Sequence, residues 1–75
     1  MPNSITFLTI GQSYADGRIY VNTTGASSGT TYTIPVEGAS VTVDCSSYVG
    51  TSDMYLVLWK KSGYSCTVQV TAWTK

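Results

Sequence analysis

DMYLVLWKKSGYSCTVQVTAW, residues 53–73, holds two alternating stretches around a glycine turn, and the register across that turn decides which face is core. Between Asp53 and Lys60 both faces are apolar, with Met54, Leu56 and Leu58 on one and Tyr55, Val57 and Trp59 on the other. A three-residue turn, Lys61-Ser62-Gly63, with Gly63 in the left-handed conformation that glycine tolerates, sets Leu58 beside Cys66, Leu56 beside Val68 and Met54 beside Val70. A two-residue Ser62-Gly63 turn would set the same residues against Thr67, Gln69 and Thr71. A one-residue slip sends every side chain to the opposite face, so the register that gathers the aliphatics is preferred. It predicts an outward face carrying Tyr55, Trp59, Thr67, Gln69 and Thr71, with Trp73 farther along. Rings with a polar handle beside adaptable hydroxyls suit a contact surface, and these six residues are the candidate binding site. The competing reading makes the rings cover of a second core layer.

The same alternation runs outward through the chain. Strands are expected at about 4–14, 18–23, 30–36, 39–45, 53–60 and 64–73, punctuated by glycine beside Asp, Glu or Ser, and no helical period is readable. A two-residue Asp16-Gly17 turn pairs Tyr14 with Ile19 and Gln12 with Val21, and puts Leu8 and Ile10 on that apolar face. A Glu37-Gly38 turn sets Val36 beside Ala39, Ile34 beside Val41 and Tyr32 beside Val43, leaving Thr31, Thr33, Thr42 and Asp44 outside. The expected fold is all-β, a small six-stranded antiparallel sandwich or flattened barrel built from three hairpins. Residues 1–75 make one domain, near the size at which burial only just outweighs chain entropy. Residues 23–30 read as a flexible crossover with no catalytic role, Tyr48 as part of a plain loop, and Tyr20 as a solvated cross-strand tyrosine.

Composition narrows the function. Charged residues are 11% of the chain, with four basic and four acidic side chains and no histidine, against about a quarter in ordinary soluble domains. Neither nucleic acid nor an anionic membrane is an expected partner, because both reward clustered Lys and Arg, and Lys60-Lys61 reads as a solvated turn. No signal peptide is visible near Met1, and no apolar run approaches the ~20 residues of a membrane span. A serine or cysteine nucleophile would lack its usual base. Asp16, Glu37 and Asp53 are accounted for by turns, so a carboxylate pair for glycoside hydrolysis is not expected. Nothing clusters the oxygens that calcium needs. No enzyme activity, cofactor or metal is expected. Asn22-Thr23-Thr24 matches the glycan acceptor pattern, a match common by chance.

Cys45 and Cys66 would close a loop of about 20 residues if paired, adding ~3 kcal/mol in the chain-entropy model; a disulfide and two buried thiols both remain open. Cys45, Trp59 and Tyr64-Ser65-Cys66 resemble fragments of the immunoglobulin pattern of strand cysteine, core tryptophan and Tyr-x-Cys. Trp59 and Cys66 are too close in sequence for the intermediate strands of that family, so the resemblance implies a two-sheet sandwich and not membership.

A non-enzymatic structural or assembly module is therefore expected, such as a small subunit of a virion, tail or extracellular assembly, with protein as its partner, either itself or something larger. The alternatives are a small inhibitor that occludes another protein's site, and a carbohydrate-binding module that stacks sugars on Tyr55, Trp59 or Trp73. The sequence does not fix a cellular location.

Overall fold

Short alternating runs between glycine turns give six strands and one 3-10 turn in a computed structural model that describes residues 3–13, 16–50 and 53–74. The strands are β1 (Ser4–Gln12), β2 (Arg18–Asn22), β3 (Thr30–Thr33), β4 (Ser40–Asp44), β5 (Tyr55–Trp59) and β6 (Cys66–Thr74), with the 3-10 turn Ser46–Tyr48 after β4. They form two three-stranded antiparallel sheets, ordered β4-β1-β6 and β3-β2-β5. The Cα extents of 36 × 24 × 13 Å suit two layers ~10 Å apart, and the barrel does not close. The expected all-β sandwich is present. Among the described residues no helix is long and apolar enough to cross a membrane.

The core lies between the two central strands. Phe7, Ile19, Val21, Ile34, Val43 and Cys45 are buried, and Tyr32, Val41, Met54, Leu56, Cys66 and Val68 pack against them. The inward positions of β2 to β5, and of β6 as far as Val70, are those the alternation predicted; past a register shift Trp73 pairs with the inward Ile5, on the face opposite to the one expected. In β1 the face is reversed. Pairing Ile5 with Val43 and Phe7 with Val41 turns Ile5, Phe7 and Thr9 inward, and leaves Ile10 50% exposed. One consequence is a buried Thr9 whose Oγ1 finds no hydrogen-bond partner among the described residues, a cost of ~1–3 kcal/mol.

The three expected hairpins are not ladders. β1 pairs with β4 and β6, and β2 with β3 and β5, so the turns after β1, β3 and β5 each carry the chain from one sheet to the other. Turn chemistry explains this. The Ala39 N–H donates to the Val36 carbonyl at 3.0 Å, and Gly38 has φ +87° while no non-glycine residue among those described has positive φ. That is a type II combination. Tight two-residue hairpins need type I′ or II′ turns, whose twist matches that of paired strands, whereas type II splays them. The Lys61 to Tyr64 turn follows suit, with Gly63 at φ +88° and the Tyr64 N–H on the Lys61 carbonyl at 3.3 Å. Gly63 thus has the positive φ expected of it, but the strands on either side part company. The pairing proposed for Tyr14 lies outside the described residues.

The chain neighbours that do pair are β2 and β3. Residues 23–29, expected as a crossover, are the loop of that hairpin and are organised by one side chain. Asn22 Nδ2 donates to the carbonyls of Ala26 (2.6 Å) and Ser28 (2.8 Å), while its Oδ1 accepts from the N–H groups of Thr24 (3.0 Å) and Gly25 (2.7 Å). The amide of the apparent glycan acceptor is therefore committed to the loop.

Tyr48 is likewise more than loop. Half-buried against the core, it donates from Oη to the Val21 carbonyl at 3.1 Å and ties the 3-10 turn to the second sheet. Beside it, Asp44 Oδ1 accepts the Ser46 N–H at 2.9 Å, and hydrogen bonds from the Ser46 side chain and backbone hold the Asp44 pKa below its ordinary value.

The cysteines are free thiols at opposite ends of the sandwich, Cys45 buried and Cys66 half-buried, so of the two readings left open the disulfide is not the one found. The Cys45 N–H bonds to the Asn3 carbonyl, while Cys66 pairs with Gln12. That separates them by the length of β1, roughly 25–30 Å at ~3.3 Å per residue, where a bridge needs Cα atoms within ~7 Å. Burial, then the nearby Asp44 charge, pushes the Cys45 thiol pKa up.

Candidate functional site

The two long sides of the sandwich differ. On the β3/β4 side the sheets are stitched together. Tyr32 Oη, on β3, accepts the Asp44 N–H of β4 across the two sheets at 3.0 Å. On the β5/β6 side no ladder joins the edges among the described residues. Among the described residues β5 and β6 each have one flank without a strand, and side chains at this wall stay in water: Tyr55 is 45% exposed, Leu58 48%, Val70 45% and Trp73 66%.

The two edge strands are also bare of charge. Neither Tyr55–Trp59 nor Cys66–Thr74 contains Asp, Glu, Lys, Arg or Pro, the residues with which natural proteins usually blunt free edges. Two weaker devices are present. β6 carries a register shift at Thr71, where Phe7 pairs with Val70 and Thr6 with Ala72, and Lys60 and Lys61 follow β5 directly. Two hollows open along the wall. One of about 170 Å³ is lined by Ile34, Leu58, Trp59, Lys60 and Cys66. The other, of about 220 Å³, lies at the β6 irregularity and is lined by Val70, Thr71, Ala72 and Trp73.

The six residues expected to share one face are divided. Tyr55 and Trp59 lie on the outer face of the second sheet, level with Asn22 and Arg18. Thr67 and Gln69 lie on β6 in the other sheet, and Gln69 is level with the outward Leu8. Thr71 sits at the irregularity, its Oγ1 3.5 Å from the Thr6 carbonyl. Trp73, level with Ile5, stands at the rim of the wall. The cause is the parting of β5 from β6. An opened hairpin keeps its apolar face, but that face becomes two inner surfaces across the core, and its outer residues become the two opposite outsides.

Around Trp59 the structure builds something the sequence reading missed. The Arg18 guanidinium carbon lies 4.5 Å from the ring centroid of Trp59. Arg18 Nε and Nη2 donate to Asp16 at 3.0–3.2 Å, and Nη1 donates to Tyr20 Oη at 3.2 Å. Hydrogen bonds to Tyr20, then to Asp16, raise the already high Arg18 pKa. Tyr20, expected to be solvated, is only 9% exposed. The spacing Asp16-x-Arg18-x-Tyr20, which puts all three on one side of a strand, was the signal available.

Leu58 and Val70 were also missed as surface residues. They face inward as expected, but they stand on edge strands that no neighbour covers among the described residues. Among known proteins, no family model, curated protein or solved structure matches this chain.

Proposed function

We propose that this chain is a non-enzymatic assembly module that associates with copies of itself through the β5/β6 wall, in the manner of a small subunit of a virion, tail or extracellular assembly. The observation that carries the reading is the wall itself, two adjacent, uncharged, unpaired edges with Leu58, Val70 and Trp73 exposed between and beside them. Strand addition to such an edge supplies main-chain hydrogen bonds, with alternate side chains giving specificity, and the apolar side chains add burial at ~25 cal/mol per Å². Sugar stacking is less favoured, because one face of Trp59 already carries Arg18.

Val70→Lys tests this by placing an inward-pointing charge on the wall, a device that blocks edge pairing. In sedimentation velocity the parent chain should associate as concentration rises, while Val70→Lys sediments as a monomer with an unchanged far-ultraviolet circular dichroism spectrum. Ser40→Lys, on β4 at the stitched side, should associate like the parent. A parent chain that stays monomeric at millimolar concentration would remove the proposal.

A further inference from the structure

We infer that the association closes at two copies, related by a twofold axis normal to both sheets, which pairs β6 with β6 and β5 with β5 and converts two three-stranded sheets into two six-stranded ones. The inference rests on the assembly reading above and adds its symmetry, register and end point.

Three observations lead there. The first is that both sheets end on the same side. An axis normal to the layers keeps each sheet at its own level and reverses strand direction, so each free edge meets its own copy antiparallel. One operation then satisfies both edges. A head-to-tail arrangement, which would propagate as a fibre, instead needs the β3/β4 side to receive the β5/β6 side. That side carries the Asp44 carboxylate, and its Asp44 N–H is taken by Tyr32 Oη, so it does not match the uncharged β5/β6 edges.

The second observation is charge. Like charges directly opposite each other destabilise a strand pair, and self-pairing always risks them. β5 and β6 have none. Cys66 shares a hollow with Leu58, Trp59 and Lys60, so an axis through Val70, four residues on, crosses β5 near Tyr55 and Leu56 and keeps the two Lys60 positions ~30 Å apart.

The third is complementarity of shape. Centring β6 on Val70, the middle of its nine residues, sets Trp73 of one copy opposite Thr67 of the other, one position from Cys66. The 66%-exposed Trp73 is thereby brought beside the hollow of about 170 Å³ lined by Leu58 and Cys66. The exposed ring and the open hollow account for each other. β6 at ~30 Å and β5 at ~17 Å, each a layer ~10 Å deep, project to roughly 500 Å² per partner before corrugation, the small end of the range for specific interfaces.

Light scattering on the full chain should give a plateau at twice the 8.0 kDa mass, unchanged as concentration rises further. Trp73→Ala should weaken dimerisation on the order of tenfold or more, as for a buried aromatic anchor, with its heteronuclear spectrum otherwise retained. In a Cys66→Ser background, Val70→Cys should form an intermolecular disulfide under mild oxidation while Ser40→Cys does not. A mass that climbs past two copies, or cross-linking at Ser40 as efficient as at Val70, would overturn the twofold while leaving the assembly reading standing. A monomer at millimolar concentration would overturn both.

Discussion

Shortening Ile19 to alanine is expected to cost ~2–5 kcal/mol, the range for deleting a fully buried aliphatic side chain. Ile19 is 0% exposed and sits on the central strand β2, level with Tyr32 on one side and Leu58 on the other. Neither flank can collapse readily into the vacancy, because Tyr32 is held at Asp44 and Leu58 belongs to an edge. Total stability for a chain of 75 residues is about 4–11 kcal/mol, so this one change should remove a large share of it. Urea titration checks the outcome through the shift in midpoint at constant slope. A loss under ~1 kcal/mol would mean that the core does not close around β2.

Gly17→Ala should also destabilise, and its sign separates the sandwich from the hairpin expected from sequence. In a hairpin, Gly17 would sit in an exposed turn. Here Gly17 is buried, and a Cβ on it would lie 3.0 Å from Ile34 Cδ1, 3.2 Å from Ile34 Cβ and 3.4 Å from Cys66 Sγ. The Cδ1 contact can swing away, but the Cβ contact cannot, because the Ile34 N–H is bonded to the Gly17 carbonyl itself at 2.9 Å. Overpacking of this kind costs ~1–3 kcal/mol, partly offset by ~0.4–1 kcal/mol from a stiffer unfolded chain. The net should be a loss of ~1–2 kcal/mol, read as a lower thermal midpoint. Replacing Ile34 with Val in the same chain should recover little, since Ile34 Cβ remains. A neutral or stabilising Gly17→Ala would place Gly17 back on the surface.

Alternation made the strands legible because it reports which side of a strand meets apolar surroundings, and that is settled locally. Residues 39–45 and 53–60 were expected to be extended, and Ser40–Asp44 and Tyr55–Trp59 are strands. Alternation carries no record of which strand lies next to which. Leu56 and Val68 are apolar at the same phase whether they sit side by side or face each other across a core, so a hairpin and an opened pair of sheets read alike. What separates them is the turn, and Glu37-Gly38, whose first residue is Glu and not the Asn, Asp or Gly that accepts positive φ, was the legible warning. β1 was misread for a related reason. It holds aliphatic or aromatic side chains at both phases, Ile5 and Phe7 against Leu8 and Ile10, and its pairing with β4 chooses between them. The candidate surface inherited these errors. Trp59 and Thr67 were neighbours only in a ladder that does not form, whereas Leu58 and Val70 became surface through sheet order, which the sequence does not spell.

Amide hydrogen exchange along β5 and β6 as a function of protein concentration is the most direct measurement of whether the sandwich ends in a free wall that self-association covers. At high dilution, the amides of these strands that point away from β2 and β1 should exchange quickly, while those bonded to the central strands stay protected. Raising the concentration should slow the first set and leave the outer amides of β3 and β4 unchanged. Protection of the outer β5 and β6 amides that is already complete at high dilution would mean that the two strands pair with each other after all. Fast exchange at every concentration would mean that nothing covers them.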